Sequence, residues 1–314
     1  MINKKSKIYL AGHNGMVGSA ILQQLHNQKY SNVITIDRKN LDLRNQAKVN
    51  NFLSKYRPEA VIIAAAKVGG IKANMDYGAD FIYDNLAIQN NLIHGSFVNK
   101  IKNLIFLGSS CVYPRNCKLP IRENYLLSNY LEKTNEPYAL AKIAGIKMCE
   151  SYNLQYNLNY KCLMPCNSYG KNDNYDTNTS HFFPALIKKI IFAIQKKEKS
   201  IKVWGDGNSK RELIYADDIA DACLFFLKKK TKHTLINIGT GSENTINNYA
   251  KIIMKHLNVN LKIIHEKKKP QGTFSKVLDV SLAKKYGWIY KTNLQLGLSH
   301  TINDYLKNHL NNYI

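Results

Sequence analysis

Acidic side chains are scarce in this chain of 314 residues, in which 22 Asp and Glu stand against 45 Lys and Arg, a formal charge of +23. No uncharged apolar stretch approaches the roughly 20 residues that a membrane-spanning helix needs. The short apolar run that begins at Ile8 is too brief for the core of a signal peptide, and no small-residue cleavage site follows it. We therefore expect a cytoplasmic protein that does not bind a membrane.

The chain also lacks any arrangement of cysteines that would indicate a disulfide framework or a metal centre. Its six cysteines are spread over residues 111–223, and Cys162 and Cys166 have no second Cys or His cluster nearby to complete a zinc site. In a cytoplasmic chain of this size, such cysteines are expected to be free thiols. The sequence predicts no bound metal.

The basic residues form short, scattered runs, of which Lys228–Lys230 and Lys267–Lys269 are examples. None is interleaved with aromatic side chains that stack on bases, so the sequence does not favour nucleic-acid binding. A basic surface would still attract an anionic substrate such as a nucleotide diphosphate.

Strands and helices alternate over the first half of the sequence. Strands are predicted at 7–11, 33–36, 60–65, 104–107 and 160–164, with helices between them. The run 60–65 is apolar without alternation, as strands buried on both faces of a parallel sheet require. The pattern predicts an α/β protein with a Rossmann-type doubly wound parallel sheet. After about residue 170 it changes to a polar loop, followed by a smaller mixed α/β C-terminal domain that we expect to bind substrate.

Three glycines, Gly12, Gly15 and Gly18, follow the first strand and open the first helix. Glycine permits a tight turn there and the close approach of a pyrophosphate, which the helix N-terminus then faces. At the end of the second strand, Asp37 suits a ribose hydroxyl and hence NAD, whereas Arg38 suits a 2′-phosphate and hence NADP. The two residues leave the choice of dinucleotide open.

A Tyr and a Lys four residues apart, Tyr138 and Lys142, share one face of a predicted helix. The ammonium would lower the phenol pKa from its usual value of about 10, so that the phenol can protonate a ketone as hydride reaches the carbonyl carbon. Ser109, at the end of the fourth strand, would hold the same oxygen.

Two further side chains that can carry protons lie near this set in the predicted fold. Cys111 lies two residues beyond Ser109, and His181 follows the polar loop 171–180. A thiolate beside a cation and an imidazole are both competent acid–base groups near neutral pH. On the residues alone, a buried structural thiol and a surface or capping histidine are the more common interpretations.

Longer segments carry a more specific resemblance. The chain resembles the GDP-L-fucose synthase family, in the extended branch of the short-chain dehydrogenase/reductase superfamily, from about residue 8 to 310. The matching segments are 11–20, 64–71, 107–114, 135–139, 141–147 and 203–205, with Arg211-Glu212, Asp217-Asp218 and Gly272-Thr273.

The resemblance implies a two-part reaction on GDP-4-keto-6-deoxy-D-mannose. Cys111 would be the base and His181 the acid that invert C3 and C5 in turn. Tyr138 would then protonate the C4 oxygen as NADPH reduces the ketone, with Ser109 and Lys142 stabilising charge on that oxygen. The family is commonly dimeric, so a homodimer is expected.

The resemblance also implies binding residues and a division into domains. The NADP-binding Rossmann domain would comprise 1–170, rejoined by about 212–240, and the substrate-binding domain would comprise 171–211 and 241–314. Substrate would contact Lys189, Trp204, Arg211 and Asp279. Cofactor would contact Gly12, Asn14, Gly15, Met16, Val17, Gly18, Arg38, Leu107, Gly108, Ser109, Ser110, Tyr138, Lys142, Pro165, Cys166, Asn167, Ser168 and His181.

One departure from the family pattern bears on the cofactor: Asn14 stands where many members have a basic residue that helps to hold the 2′-phosphate. The alternative function is another nucleotide-sugar epimerase or reductase of the superfamily. A dehydratase is disfavoured because Ser110-Cys111-Val112 lacks the Asp-Glu pair needed to eliminate water. A basic nucleic-acid-binding or redox-sensing protein that keeps the fold without catalysis is disfavoured by the intact Ser109, Tyr138 and Lys142.

Overall fold

A six-stranded parallel sheet forms the centre of the protein, as seen in a computed structural model that describes residues 2–269 and 272–309. Its strands lie in the order β2-β1-β3-β4-β5-β9, and every neighbouring pair is parallel. This is the predicted Rossmann-type sheet. The strands are β1 (Ile8–Ala11), β2 (Val33–Ile34), β3 (Ala60–Ile63), β4 (Asn103–Leu107), β5 (Asn159–Pro165) and β9 (Leu235–Ile238).

Helices pack on the sheet because each buries an apolar stripe. Helix α1 (Met16–Asn27) buries Ile21 and Leu25 and packs against α7 (Ala216–Lys228). Full burial of such a side chain is worth about 1.5–3 kcal/mol relative to exposure. Helix α4 (Gly78–Val98) packs between α2 (Gln46–Tyr56) and α5 (Glu136–Tyr156). The short α3 (Ile71–Asp76) precedes α4. None of the helices described is long and apolar enough to cross a membrane.

A second buried apolar cluster lies beyond residue 168. It is built by a three-stranded sheet in the order β10-β8-β6, the parallel pair β11-β7, and helices packed on them. The elements are β6 (Asn167–Tyr169), β7 (Ser200–Trp204), β8 (Lys210–Tyr215), β10 (Glu243–Thr245), β11 (Lys262–Glu266), α6 (Phe182–Gln195), α8 (Ile246–His256) and α10 (Leu294–His309). Leu278, Val280 and Trp288, around the short α9 (Ser281–Tyr286), instead pack on the first cluster.

The structure differs from the sequence prediction at element ends and in short elements. Strand β2 stops at Ile34 rather than Ile36, because it is an edge strand that pairs only with β1. The sequence predicts a helix from Pro184, whereas α6 begins at Phe182; Pro184 is tolerated in its first turn because the N–H groups there have no helical partner. Helix α3 and strand β6 had no clear sequence signal. All six cysteines are free thiols, as predicted.

Candidate active site

A cavity of about 1480 Å³ lies at the carboxyl ends of β1, β3, β4 and β5, under the second cluster. Of the candidate site residues, Asp37 and Asp279 are absent from its wall. The wall includes Gly12, Asn14, Gly15, Met16, Val17, Gly18, Arg38, Leu107, Gly108, Ser109, Ser110, Cys111, Tyr138, Lys142, Pro165, Cys166, Asn167, Ser168, His181, Lys189, Trp204 and Arg211. The fold therefore brings together residues almost 200 positions apart in sequence.

The glycine turn forms one end of this cavity with bare backbone. Gly12 has φ +88°, and a Cβ at Gly18 would lie 1.9 Å from the Gly12 carbonyl oxygen. Helix α1 begins beside them with Gly15 as its N-cap and no side-chain cap. The turn is therefore compact, and the unfilled amides of α1 provide a cradle for a pyrophosphate.

Asp37 and Arg38 occupy different environments. Asn14 Nδ2 donates to Asp37 Oδ1 at 2.7 Å, and His13 Nε2 lies 3.4 Å from the same oxygen. Asp37 is not part of the cavity wall, whereas Arg38 is. No hydrogen bond or ion pair engages the Arg38 guanidinium within the described ranges. The geometry therefore offers a cation, rather than a carboxylate, to whatever lies beyond the glycine turn.

Lys142 is buried beneath Tyr138. Its Nζ donates to the Leu107 carbonyl at 2.8 Å, and it lies 5.8 Å from the centroid of the Tyr138 ring. Burial lowers the pKa of Lys142 to about 8. The expected lowering of the Tyr138 pKa is not seen: burial raises it, and Cys111 raises it further. The phenol therefore keeps its proton, which is the form required of a proton donor.

Ser109 and Cys111 lie where β4 ends in a short 3-10 turn. Ser109 Oγ accepts a hydrogen bond from the Cys111 amide at 3.4 Å, which caps the turn and points both residues at the cavity. Burial raises the pKa of Cys111, while Lys276, Ser109 and Lys142 oppose that rise. The thiolate is thus formed only with help from neighbouring groups.

His181 enters the cavity at the end of the loop 171–180, as the N-cap of α6. The Gly70 amide donates to the Thr179 carbonyl at 2.8 Å, and a Cβ at Gly70 would lie 2.4 Å from the Ser180 carbonyl oxygen. The loop therefore rests directly on the backbone before α3. Desolvation inside the cavity lowers the pKa of His181 from its usual value.

The substrate residues predicted from the resemblance differ in how the structure holds them. Lys189 Nζ donates to the Lys202 carbonyl at 2.9 Å, and Arg211 Nη1 donates to the Lys210 and Thr273 carbonyls at 2.7 Å. The Trp204 ring lies on the same wall. Asp279 pairs instead with Arg122 at 3.2 Å and caps the Ser281 amide at 2.9 Å. Asp279 is not part of the cavity wall, and these contacts engage its carboxylate.

Sequence reasoning missed several residues of the wall. Lys276 and Glu132 line it close to Cys111, and Lys72 and Asp173 line it around the loop before His181. The paired glycines before α3 were a usable signal for a close backbone contact. Lys276 gave none, because lysines occur throughout this chain. No group of three or more Cys, His, Asp or Glu side chains placed to hold a metal ion occurs in residues 2–269 and 272–309.

A parallel sheet with a glycine turn after β1, and with Ser109, Tyr138 and Lys142 at its carboxyl edge, defines an enzyme class that acts with a nicotinamide dinucleotide. The chain belongs to the NAD dependent epimerase/dehydratase family, whose model matches residues 8–239.

The names of similar proteins describe enzymes of GDP-sugars. The chain is 45% identical over 302 residues to the GDP-L-fucose synthase of Sinorhizobium fredii, with 96% of each chain covered. It is 40% identical over 308 residues to the GDP-L-colitose synthase of Yersinia pseudotuberculosis, covering 98% of this chain and 99% of that one. Among solved structures, a GDP-6-OMe-4-keto-L-xylo-heptose reductase from C. jejuni matches with a TM-score of 0.91 at 34% identity, covering 98% and 99%.

Proposed function

We propose that this protein is a GDP-L-fucose synthase, which inverts C3 and C5 of GDP-4-keto-6-deoxy-D-mannose and then reduces the C4 ketone with NADPH. The observation that carries the proposal is that one cavity holds both a Cys111 and His181 pair and a Ser109, Tyr138 and Lys142 set. The first pair suits proton transfer at carbon, and the second suits reduction of a ketone.

The epimerisation uses the acidity that a ketone gives to the hydrogens on its neighbouring carbons. Cys111, as thiolate, removes the proton from C5 or C3, and the negative charge moves onto the C4 oxygen. His181, as imidazolium, returns a proton to the opposite face of that carbon, which inverts it. Ser109 and Lys142 lie by the same wall and stabilise the negative oxygen.

The reduction uses the same oxygen. Tyr138 remains protonated because burial raises its pKa, and it donates that proton as the C4 oxygen becomes an alcohol. NADPH, when bound, supplies the hydride. Lys142, held by the Leu107 carbonyl, supports the phenolate that remains.

The cavity fits NADPH at the end opposite His181. The glycine turn is so compact that a Cβ at Gly18 would clash with the Gly12 carbonyl oxygen, and the α1 N-terminus provides free amides for the pyrophosphate. Arg38 lines the wall and makes no hydrogen bond or ion pair in the described residues, which suits the 2′-phosphate, while Asp37 is engaged by Asn14. Arg38 thus takes the role that Asn14 does not fill in this chain.

A second candidate is the reduction, with or without epimerisation, of another GDP-linked 4-keto sugar. The names of the colitose and heptose relatives favour it, since the chain matches them over nearly its whole length. Incubation with GDP-4-keto-6-deoxy-D-mannose and NADPH, with the sugar identified by NMR, tests the choice. GDP-L-fucose is the expected product, and the recovery of unconverted substrate would contradict the proposal.

We further propose a cytoplasmic homodimer that forms through α4 and α5. These helices pack on each other and leave large apolar side chains exposed, including Tyr83 at 66% and Leu140 at 44%. The double variant Tyr83→Asp/Leu140→Asp should sediment as a monomer, and an unchanged dimer mass in that variant would place the interface elsewhere.

A further inference from the structure

The segment 274–279 carries Lys276 on the cavity wall that also includes Cys111, and hydrogen bonds fix the backbone of this segment. The Lys210 amide donates to the Phe274 carbonyl at 2.7 Å, and the Leu278 amide donates to the buried Glu212 carboxylate at 2.8 Å. The Ile121 amide donates to the Val277 carbonyl, also at 2.8 Å. These hydrogen bonds therefore hold the backbone of the segment that carries Lys276 in place.

The side chain of Lys276 contributes nothing to that bracing. The backbone amide of Lys276 donates to the Glu243 carboxylate at 3.3 Å, and Ser275 Oγ donates to the same carboxylate at 2.7 Å. Its ammonium, by contrast, makes no hydrogen bond or ion pair within the described parts of the chain. A partly buried ammonium without a partner is costly, so its retention in a cavity points to an anion that it meets there.

The charged and titratable groups that act on Lys276 identify that anion. They are Cys111, Arg211, Glu132 and Cys117, and Cys111 has the largest charge effect of the four. In the reverse direction, Lys276 has a larger effect on Cys111 than Lys142 has. Glu132 is already occupied by Arg115 at 3.3 Å and by Thr273 at 3.3 Å. The anion that the Lys276 ammonium interacts with is thus the thiolate of Cys111.

We propose that Lys276 is the cation that stabilises the thiolate of Cys111. Lys276 acts through the sulfur and does not need to touch the substrate, so it is a positioning residue. The proposal rests on the proposed function only in making that thiolate the base at C3 and C5. Lys142 also acts on Cys111, but its effect is smaller than that of Lys276 and its Nζ donates to the Leu107 carbonyl.

The test is the pH profile of iodoacetamide alkylation at Cys111, with the modified peptide followed by mass spectrometry to separate it from the other five cysteines. Only the thiolate reacts, so the midpoint of the profile reports its formation. The midpoint is preferred to the rate at one pH because a more basic thiolate is also a stronger nucleophile. Lys276→Met should move the midpoint upward by about one pH unit, which is a tenfold smaller thiolate fraction on the acid side.

Lys276→Arg should restore most of the wild-type midpoint, because it keeps the charge on the same backbone. Lys189→Met is the matched control, since it removes another lysine of the cavity wall that is not among the groups acting on Cys111. Lys189→Met should leave the midpoint in place. NADPH binding by fluorescence selects the folded variants, and Lys276→Gln replaces Lys276→Met if that variant does not fold.

An unchanged midpoint in the folded Lys276→Met or Lys276→Gln variant would overturn the proposal. If that unchanged midpoint came with a higher KM for the GDP-sugar, the ammonium would instead bind the substrate diphosphate. Alkylation needs no substrate, so the outcome is independent of the proposed function. A shifted midpoint in a protein that does not convert GDP-4-keto-6-deoxy-D-mannose would uphold the role of Lys276 and refute the reaction.

Discussion

At one end of the cavity the wall is backbone, and at the other end it is long side chains. The glycine turn at Gly12 and Gly18 presents backbone amides at the start of α1, and its shape depends mainly on the close contact between Gly18 and Gly12. The far end draws on His181, Arg211 and Lys276, which come from separate elements and depend on distant contacts for their positions. The cofactor end is therefore a local property of the sequence, whereas the chemistry at the substrate end is a property of the assembled fold.

The largest expected effect comes from replacing the proposed catalytic base, Cys111, and it distinguishes the two ends of the cavity. Cys111→Ser should reduce deuterium exchange at C3 and C5 by about 10²–10⁴-fold, because a hydroxyl is a far weaker acid–base group than a thiol. NADPH affinity should be unchanged, since the glycine turn is untouched. Exchange is measured by NMR in D₂O, and wild-type exchange in this variant would remove Cys111 from the mechanism.

The next effect separates the two reactions within the substrate end. Tyr138→Phe removes the proton donor while keeping the ring, so reduction should fall by about 10²-fold or more. Exchange at C3 and C5 should fall much less, because Cys111 and His181 remain. NADPH oxidation and deuterium exchange are followed on the same sample, and an equal loss in both would argue that Tyr138 only shapes the cavity.

A pair of glycine substitutions tests the comparison most sharply. Gly18→Ala places a Cβ against the Gly12 carbonyl, and Gly70→Ala places one against the Ser180 carbonyl next to His181. The first should weaken NADPH binding about tenfold or more, because the turn must open. The second should lower exchange by about 10–10²-fold, as small misplacements of a catalytic group do, and leave NADPH affinity intact. The same loss pattern in both variants would mean that the ends are not separable.

A smaller effect concerns the choice of cofactor. Arg38→Met should lower kcat/KM for NADPH about tenfold and leave kcat/KM for NADH unchanged, because a charge-assisted contact to phosphate is lost. Asn14→Arg should shift the ratio further towards NADPH. Lys39→Met is the matched control, since Lys39 is the basic residue next to Arg38 but is not part of the cavity wall. A wild-type preference for NADH would show that Asp37 outweighs Arg38.

The pH dependence gives the smallest effect. The pKa of His181 is lowered from 6.5 and that of Cys111 is raised from 9.0, so between these values the pair carries one proton in total. Exchange should therefore be flat between the two shifted pKa values, a window that includes pH 6.5 to 9.0, and fall outside it. Reduction, measured as kcat/KM, should fall above about pH 8 as Lys142 loses its charge. Exchange that declined together with reduction above pH 8 would count against separate titrating groups.

The sheet and the glycine turn could be predicted from the sequence because the residue patterns that indicate them are local. The run 60–65 and the glycines after β1 predict their own conformations, and the structure has a strand over 60–63 and a compact glycine turn. The helical spacing of Tyr138 and Lys142 placed both on one wall, but it could not show that burial would raise the phenol pKa. That shift depends on how tightly other segments enclose the ring.

The substrate end of the cavity could not be predicted in full from the spacing of residues in the sequence. Asp279 was expected to bind substrate, yet its carboxylate is committed to Arg122 and to the Ser281 amide. Lys276 carried no signal among many lysines, because its position depends on long-range hydrogen bonds such as that from the Leu278 amide to Glu212. Contacts of this kind are set by tertiary packing and have no counterpart in local residue patterns.

The central claim is that one cavity inverts the carbons beside the ketone before the ketone is reduced. The most direct test is conversion of GDP-4-keto-6-deoxy-D-mannose by the wild-type protein with NADPH in D₂O, with the product sugar analysed by NMR. The account predicts an L-sugar that carries deuterium at both C3 and C5. A sugar reduced at C4 with hydrogen retained at both carbons would make the protein a simple ketone reductase and contradict the account.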